Sequence, residues 1–306
     1  MQKFLQKYFK STDKIILACS TGPDSMYLLY EILKTSYKDN LVACYFNHKL
    51  RPEADEEEVF LENLWKKLWF QVEIWSANIK EIQKLYPSIS IEELARKKRY
   101  DFLWVIRDIY KAPYVLTAHH LDDKIETFLF NLARGSKLTW FINMTEKSWL
   151  ILRPLLHLEK SEILKYLDEN KLEYKIDKTN FDNDITRNFL RNEVVPSFWK
   201  INSNFKNNIS NTLSYFEELK NFIDEEIKIF LWENDYFCIK NFNNLSNFLK
   251  KEIIRYIYFI RNWNSTIWLS EANITEILKF INWKNNKTIK EIKSLKMKKD
   301  WDKIYY

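Results

Sequence analysis

Ser20-Thr21-Gly22-Pro23-Asp24-Ser25 is the stretch of this chain best suited to chemistry. Hydroxyls, a glycine and one carboxylate stand between two apolar runs, residues 15–19 and 26–33. A buried strand, a tight loop and a helix N-terminus are the elements this order predicts. Such a loop aims several backbone N–H groups at one point, where the helix dipole also favours negative charge, so its natural ligand is a phosphate. Asp24 does not bind a bare phosphate; its fitting partner is a metal ion carried on the phosphates. The loop lacks the Gly-Lys-Ser/Thr ending of ordinary NTPase loops. The competing reading is a plain Ser/Asp helix cap. Threonine at position 21 fits only where its backbone avoids positive φ.

Four other clusters carry chemistry-bearing side chains. In Thr117-Ala118-His119-His120-Leu121-Asp122-Asp123-Lys124-Ile125-Glu126-Thr127, a helix starting near Leu121 puts Asp122 and Glu126 on one face, and Asp123 and Thr127 on another. Capping carboxylates are the bland alternative, but two adjacent histidines before the cap are hard to explain as packing. No third clustered His or Cys supports zinc, so Mg²⁺ held by a carboxylate and nucleotide phosphates suits the set better. Asn47-His48-Lys49-Leu50-Arg51-Pro52-Glu53 follows a strand and opens a helix with Pro52 near its first turn; alone it is a loop and cap. Ser90 and Glu93 form a capping box ahead of Arg96 and Arg99, which project one turn apart, as a solvated basic helix or as phosphate contacts. Within residues 180–192, Arg187-Asn188 and Arg191-Asn192 recur at i, i+4 beside a polar loop. Two guanidiniums on one face suit a phosphodiester backbone, in competition with an ion-pair face involving Glu193.

The elements that must position these clusters follow from periodicity. Strand-like runs fall at residues 15–19, 41–46, 71–75 and 114–118, with helical patterns at 24–36, 53–69, 91–110 and 122–134. This alternation predicts an α/β fold with a parallel sheet built from βαβ units. Right-handed crossovers place the strand C-termini along one edge, where ligands bind. Residues 20–25, 47–48 and 119–120 all follow strand ends, which argues for one site. Beyond residue 154 the pattern predicts a helix over 160–170, a polar loop over 177–184 and a helix over 186–195 stopped by Pro196. An Asn/Ser-rich linker over 199–210 follows, then helices over 212–231, 245–261 and 271–280, and short Lys-rich strands over 288–306.

Composition bounds the class. The 306 residues suit two domains, and 46% hydrophobic content supports a sizeable core. No apolar run approaches the roughly 18 residues of a membrane span. The start, Met1-Gln2-Lys3-Phe4, does not read as a secretory leader. Three isolated cysteines, Cys19, Cys44 and Cys238, read as reduced thiols in a cytoplasmic protein, with no Cys-x-x-Cys pair for zinc or redox chemistry. A net charge of +6 permits a nucleic-acid partner without demanding one. The chain has 2 glycines and 12 tryptophans, whereas glycine usually makes up about 7% of residues. Several tryptophans, among them Trp69, Trp283 and Trp301, stand where turn chemistry wants glycine. The expectation is that many are glycines in the living cell, encoded by UGA codons that are read there as glycine.

The loop at 20–25 resembles the Ser-Gly-Gly-x-Asp-Ser pyrophosphate loop of PP-loop ATPases, with Thr21 where that pattern more often has glycine. The ordered set Ser20-Thr21-Gly22-Pro23-Asp24-Ser25, residues 47–53, residues 91–100, residues 117–127, Arg134-Gly135-Ser136, Arg153-Pro154-Leu155-Leu156 and residues 186–196 resembles the tRNA(Ile)-lysidine synthase family. The resemblance is dense up to Pro196 and weak beyond. It implies a parallel-sheet PP-loop (adenine nucleotide α-hydrolase-like) domain over 1–198. A helical linker and a small, mainly helical tRNA-binding domain would follow over 199–306. It also implies ATP and Mg²⁺ as cofactors, L-lysine and tRNA(Ile) with a CAU anticodon as partners, and no membrane.

Members of that family adenylate the C2 carbonyl oxygen of the wobble cytidine, release pyrophosphate, and let the lysine amine attack C2 and expel AMP. Carried over residue by residue, Ser20, Thr21, Gly22, Pro23, Asp24, Ser25, Asn47, His48 and Arg99 would bind ATP, with Asp24 helping to place Mg²⁺. Asp24, Asp122, Asp123, His119 and His120 would be catalytic, and Arg134, Arg187, Asn188 and Arg191 would grip tRNA. The rivals are a tRNA thiolation enzyme, whose usual cysteines are missing here, a small-molecule amidating synthetase, and an inactive tRNA-binding homologue. Trp140, Trp268, Trp283 and Trp301 stand where the family commonly has glycine.

Overall fold

The computed structural model describes residues 1–51, 53–142, 144–175, 186–232, 234–261, 269–285 and 287–306, less the side chains at 139, 140, 186 and 187. Pro52, the polar stretch 177–184 and Trp268 therefore lie outside the described residues, as do the side chains of Trp140 and Arg187. The chain divides into two compact units, Met1–Leu213 and Ser214–Tyr306.

In the first unit a short α1 (Gln2–Tyr8) precedes β1 (Ile15–Ala18), α2 (Pro23–Leu33), β2 (Leu41–Asn47), α3 (Glu53–Leu68) and β3 (Gln71–Ser76). Then come α4 (Ile79–Leu85), α5 (Ile91–Ile109), β4 (Val115–Leu116), α6 (Leu121–Ala133), α7 (Leu138–Phe141), β5 (Lys147–Ser148), β6 (Ile151–Leu152) and α8 (Lys160–Glu169). The sheet order is β3-β2-β1-β4-β6-β5, parallel throughout except for β5 at the edge. Strands β1 and β2 read as unbroken apolar runs because both faces are covered. Ile15 and Leu17 face a core with Leu28, Leu61 and Ile163, whereas Ile16, Val42 and Cys44 face one with Ile79, Leu94 and Phe102. Cys19, Cys44 and Cys238 are free thiols.

Strand order reverses between β1 and β4, because β2 and β3 extend one way and β6 the other. That reversal opens a crevice at the carboxyl ends of β1 and β4, the usual ligand site of such sheets. The loop 20–25 leaves β1 and the His119-His120 pair leaves the end of β4, so topology brings them together.

The segment after α8 departs from expectation. Helix α9 (Thr186–Phe189) does not stop at Pro196. It passes through a π-helical turn, Leu190–Val194, into α10 (Val195–Ile201). Pro196 sits in the first turn of α10, where its missing N–H breaks no intrahelical bond. The Asn/Ser-rich stretch is not a loose linker either. Asn202 accepts the Asn204 N–H at 2.8 Å, and buried Phe205, the first residue of α11 (Phe205–Leu231), stacks on Phe198 with ring centroids 4.8 Å apart.

In the second unit, β7 (Tyr236–Cys238), α12 (Ile239–Asn243), α13 (Asn247–Arg261) and α14 (Glu271–Ile281) precede β8 (Lys287–Ile292), β9 (Leu295–Asp300) and β10 (Lys303–Tyr305). The strands form an antiparallel sheet ordered β7-β10-β9-β8. No helix among the described residues is long and apolar enough to cross a membrane.

Four tryptophans occupy left-handed backbone. Trp69, Trp149, Trp232 and Trp301 have φ of 57°, 51°, 40° and 54°. Trp69 and Trp232 directly follow the last residues of α3 and α11, while Trp149 and Trp301 turn the β5–β6 and β9–β10 hairpins. All four indoles are largely exposed, at 86%, 65%, 75% and 65%. A bulky side chain in this region is strained and gains little from burial, whereas glycine adopts it freely. Trp283 does not share the conformation. Replacing each of Trp69, Trp149, Trp232 and Trp301 by glycine is expected to raise stability by about 0.5–1 kcal/mol, since relief of left-handed strain exceeds the added freedom of the unfolded chain. Urea midpoints of the single variants measure this. Lower midpoints at all four, or a native-protein mass matching tryptophan at each, would contradict the glycine reading.

Candidate active site

The loop after β1 is laced by its own hydroxyls. Ser25 Oγ donates to the Gly22 carbonyl at 3.0 Å and accepts the Ser20 N–H at 3.1 Å. The Lys175 N–H donates to the Thr21 carbonyl at 2.9 Å, tying the loop from outside. Gly22 caps α2 with φ −69°, and Pro23 and Asp24 occupy its first turn. The position that asks for glycine is instead Thr21, with φ 59°. The expectation that threonine avoids positive φ there does not hold. Thr21 is fully buried and its Oγ1 donates to the Ser20 carbonyl at 2.6 Å, which helps hold the strained backbone.

This loop forms one wall of a cavity of about 1100 Å³. Ser20, Thr21, Gly22, Pro23, Asp24, His48, Arg99, His120, Asp122 and Arg191 all line it. Ser25 does not; it shapes the loop from behind. Asn47 is fully buried and donates to Asp55 and Glu58 while accepting the Lys49 N–H, so it fastens the loop after β2 to α3. His119 points its Nδ1 at Thr117 Oγ1, 2.9 Å away, and does not line the cavity. Arg134 is exposed at the end of α6, over the Phe130 ring. Asn188 is buried on α9.

The acidic residues converge on His120, which is 2% exposed. Its Nε2 lies 3.6 Å from Asp24 and 3.4 Å from Asp123, and its Nδ1 3.6 Å from Asp122. Burial opposes charge on this imidazole, but Asp122, Asp123 and Asp24 together raise its pKa above the usual value. Asp123 also accepts the His120 N–H at 3.0 Å, closing the cap of α6. Burial would raise the Asp122 pKa, but His120, Lys206 and the Lys160 N–H hold it well below the carboxylate range.

Three cations complete the constellation, of which Lys160 and Lys206 are absent from the expected site residues. Lys160 Nζ lies 2.5 Å from Asp24, and its backbone N–H donates to Asp122 at 2.8 Å. Lys206 Nζ bridges Asp122 at 2.6 Å and Glu159 at 2.9 Å. Arg191 pairs with buried Glu126 through two bonds, at 2.6 and 2.9 Å, and approaches Asp123 at 3.5 Å. Glu126 was visible in sequence as the i+4 partner of Asp122; Lys160 and Lys206 gave no signal beyond being lysines.

His48, also in the lining, packs against Phe46 with its Nδ1 buried and unpartnered. Burial, with Arg99 and Arg51 nearby, lowers its pKa to about 4. His119 is lowered to about 4 by burial as well. The remaining lining includes Tyr45, Leu50, Ile125 and Trp199, so the cavity sets apolar and aromatic side chains beside the acids and ammonium groups.

Comparisons with known proteins agree with this geometry. A family model described as a PP-loop domain matches residues 1–198. Among solved structures, the chain is similar to the U34-tRNA thiolase NcsA from Methanococcus maripaludis, with a TM-score of 0.57 at 17% identity, covering 70% of this chain and 73% of that one. That likeness speaks to fold alone. Fold, loop and match define a PP-loop protein. Curated tRNA(Ile)-lysidine synthases resemble the chain more closely. The one from Thermosipho africanus is 36% identical over 76% of this chain and 56% of its own length; the one from Mycoplasma mycoides is 32% identical over 95% and 73%. The chain belongs to the tRNA(Ile)-lysidine synthase family. It spans little more than half the length of the Thermosipho relative.

The lowered histidines predict a pH dependence. In the unfolded chain His48 takes a proton near pH 6.5, but in the fold only near pH 4. The unfolded state therefore binds more protons in between, and stability falls as pH drops from about 6.5 to about 4. His48→Gln should flatten that decline, measured as urea midpoints across this range. An unchanged decline would contradict the burial of a neutral His48.

Proposed function

We propose that this chain is an ATP-dependent ligase joining L-lysine to C2 of the wobble cytidine in the CAU anticodon of tRNA(Ile), with AMP and pyrophosphate as by-products. The observation that carries the reading is the meeting of the β1 loop and the β4 acids in one cavity. A phosphate cradle supports attack at the α-phosphate, and the neighbouring carboxylates support binding and deprotonation of an amine.

The C2 carbonyl oxygen attacks the α-phosphorus, and the bond to the β-phosphate oxygen breaks as pyrophosphate leaves. The lysine amine then adds to C2, loses a proton, and expels AMP together with the former carbonyl oxygen. A urea-like oxygen is a poor leaving group, and adenylation makes it a good one. Backbone N–H groups of residues 20–25 receive the pyrophosphate. Arg191 with Glu126 and Asp123 forms a mixed-charge wall suited to an amino-acid zwitterion, the guanidinium for its carboxylate and the acids for its ammonium. That placement favours a lysine-binding role for Arg191 and leaves the tRNA grip to Arg134 and Arg187, since Asn188 is buried. His48 and Arg99, beside apolar side chains, suit a nucleobase and its phosphates, and His120 holds the acids in register.

Asp24 and Asp122 line the cavity beside the cradle, and Mg²⁺ fits such a donor set, since it binds through one or two carboxylates plus substrate phosphates. Asp24, at the cradle, is the residue that would hold it, with Asp122 in support. When bound it would offset charge building on the phosphates. The cytoplasm, where tRNA and ATP meet, is the proposed compartment.

Purified protein, in its tryptophan and glycine-corrected forms, should convert a CAU-anticodon transcript with ATP, Mg²⁺ and lysine. Lysidine should appear in the nucleoside digest and AMP in equal amount. Asp24→Ala should abolish AMP release. Unmodified cytidine in reactions where ATP still binds would count against the ligase reading.

A further inference from the structure

The cradle loop, residues 20–25, holds no basic side chain. Pyrophosphate leaving from such a loop still needs a cation, since backbone N–H groups carry only partial charge. Three of the cationic groups lining the cavity are engaged with acids outside the loop, and the Lys175 ammonium lies over the Phe60 ring. Lys206 bridges Asp122 and Glu159, Arg191 holds Glu126, and Arg51 holds Glu57. Lys160 differs. Its ammonium rests on Asp24, the acid in the first turn of α2, beside the cradle.

Its backbone is held as well. Lys160 is the first residue of α8, and its N–H is fixed by Asp122. Main chain and side chain are thus tied to the two acids that flank the proposed reaction. The side chain is about one-third exposed, at 32%, so it is free to swing.

The geometry points to Lys160 as a catalytic residue, the ammonium that receives the β-phosphate of ATP and neutralises the departing pyrophosphate. This rests on the ATP-cleaving reading above. In the resting protein Asp24 stores the ammonium beside the cradle. When nucleotide enters, the polyphosphate outcompetes one carboxylate for it, and Asp24 is released for the cation riding on the phosphates. As the bond between the α-phosphorus and the bridging oxygen breaks, the electron pair goes to pyrophosphate, whose charge the Lys160 ammonium offsets.

Pyrophosphate binding tests this without tRNA or lysine, so its outcome is separate from that of the ligase reading. By calorimetry Lys160→Met should weaken pyrophosphate binding about tenfold or more and, in the complete reaction, lower kcat for AMP formation by about 100-fold. Lys160→Arg should recover much of both. Pyrophosphate binding as tight in Lys160→Met as in the parent would overturn the proposal, even with turnover lost, because Lys160 would then be only a counter-ion for Asp24. If Lys160→Met does not fold, amine acylation of the unaltered protein decides: pyrophosphate should shield Lys160 several-fold in the mass-spectrometric footprint, and unchanged labelling would overturn the assignment.

Discussion

Asp24, Asp122 and Asp123 all lie within 3.6 Å of one buried imidazole, and the rest of the site depends on keeping those charges together. Two like unit charges 4 Å apart repel by about 4 kcal/mol at an effective dielectric near 20, and a polyphosphate would add to the repulsion. The protein answers with cations from separate elements: His120 before α6, Lys160 on α8, Arg191 after α9 and Lys206 on α11. Each is positioned against a specific carboxylate. The acids can thus stand together beside a phosphate cradle.

Topology makes the arrangement reachable. The cradle ends β1 and the acids follow β4, strands adjacent in the sheet though about 100 residues apart in sequence. Both strands are buried on both faces, so the two sequence segments are carried by a rigid core rather than by their own loops. Helix caps add precision. Asp123 closes the α6 cap onto the His120 N–H, and Asp122 reaches the first N–H of α8. The same carboxylates that would serve chemistry also fix where their helices begin.

Much of this was legible in the sequence. The strand–loop–helix order around residues 15–33 and the strand-end position of His119-His120 predict one site at one sheet edge, and the structure shows that edge. The loop at 20–25 is read from local chemistry alone, which is why it could be placed. Lys160 and Lys206 were not legible, because a lysine on an amphipathic helix looks the same whether its ammonium meets solvent or an acid. The pairing of Arg191 was hidden for a related reason: its i, i+4 relation to Arg187 is local, while its bond to Glu126 crosses 65 residues. Pro196 read as a helix stop because a proline signal does not distinguish the end of one helix from the first turn of the next. The left-handed tryptophans were half visible, as indoles in turns, and backbone angles single out Trp69, Trp149, Trp232 and Trp301.

The central claim is that a nucleobase carbonyl is activated as an adenylate, and the fate of one oxygen atom tests it most directly. A tRNA transcript carrying ¹⁸O at C2 of the wobble cytidine, turned over with ATP and lysine, should pass that label to the phosphate of AMP, seen as an added heavy oxygen in its mass spectrum. AMP free of label, with lysidine formed, would show that the oxygen leaves by another route and would contradict the adenylate mechanism.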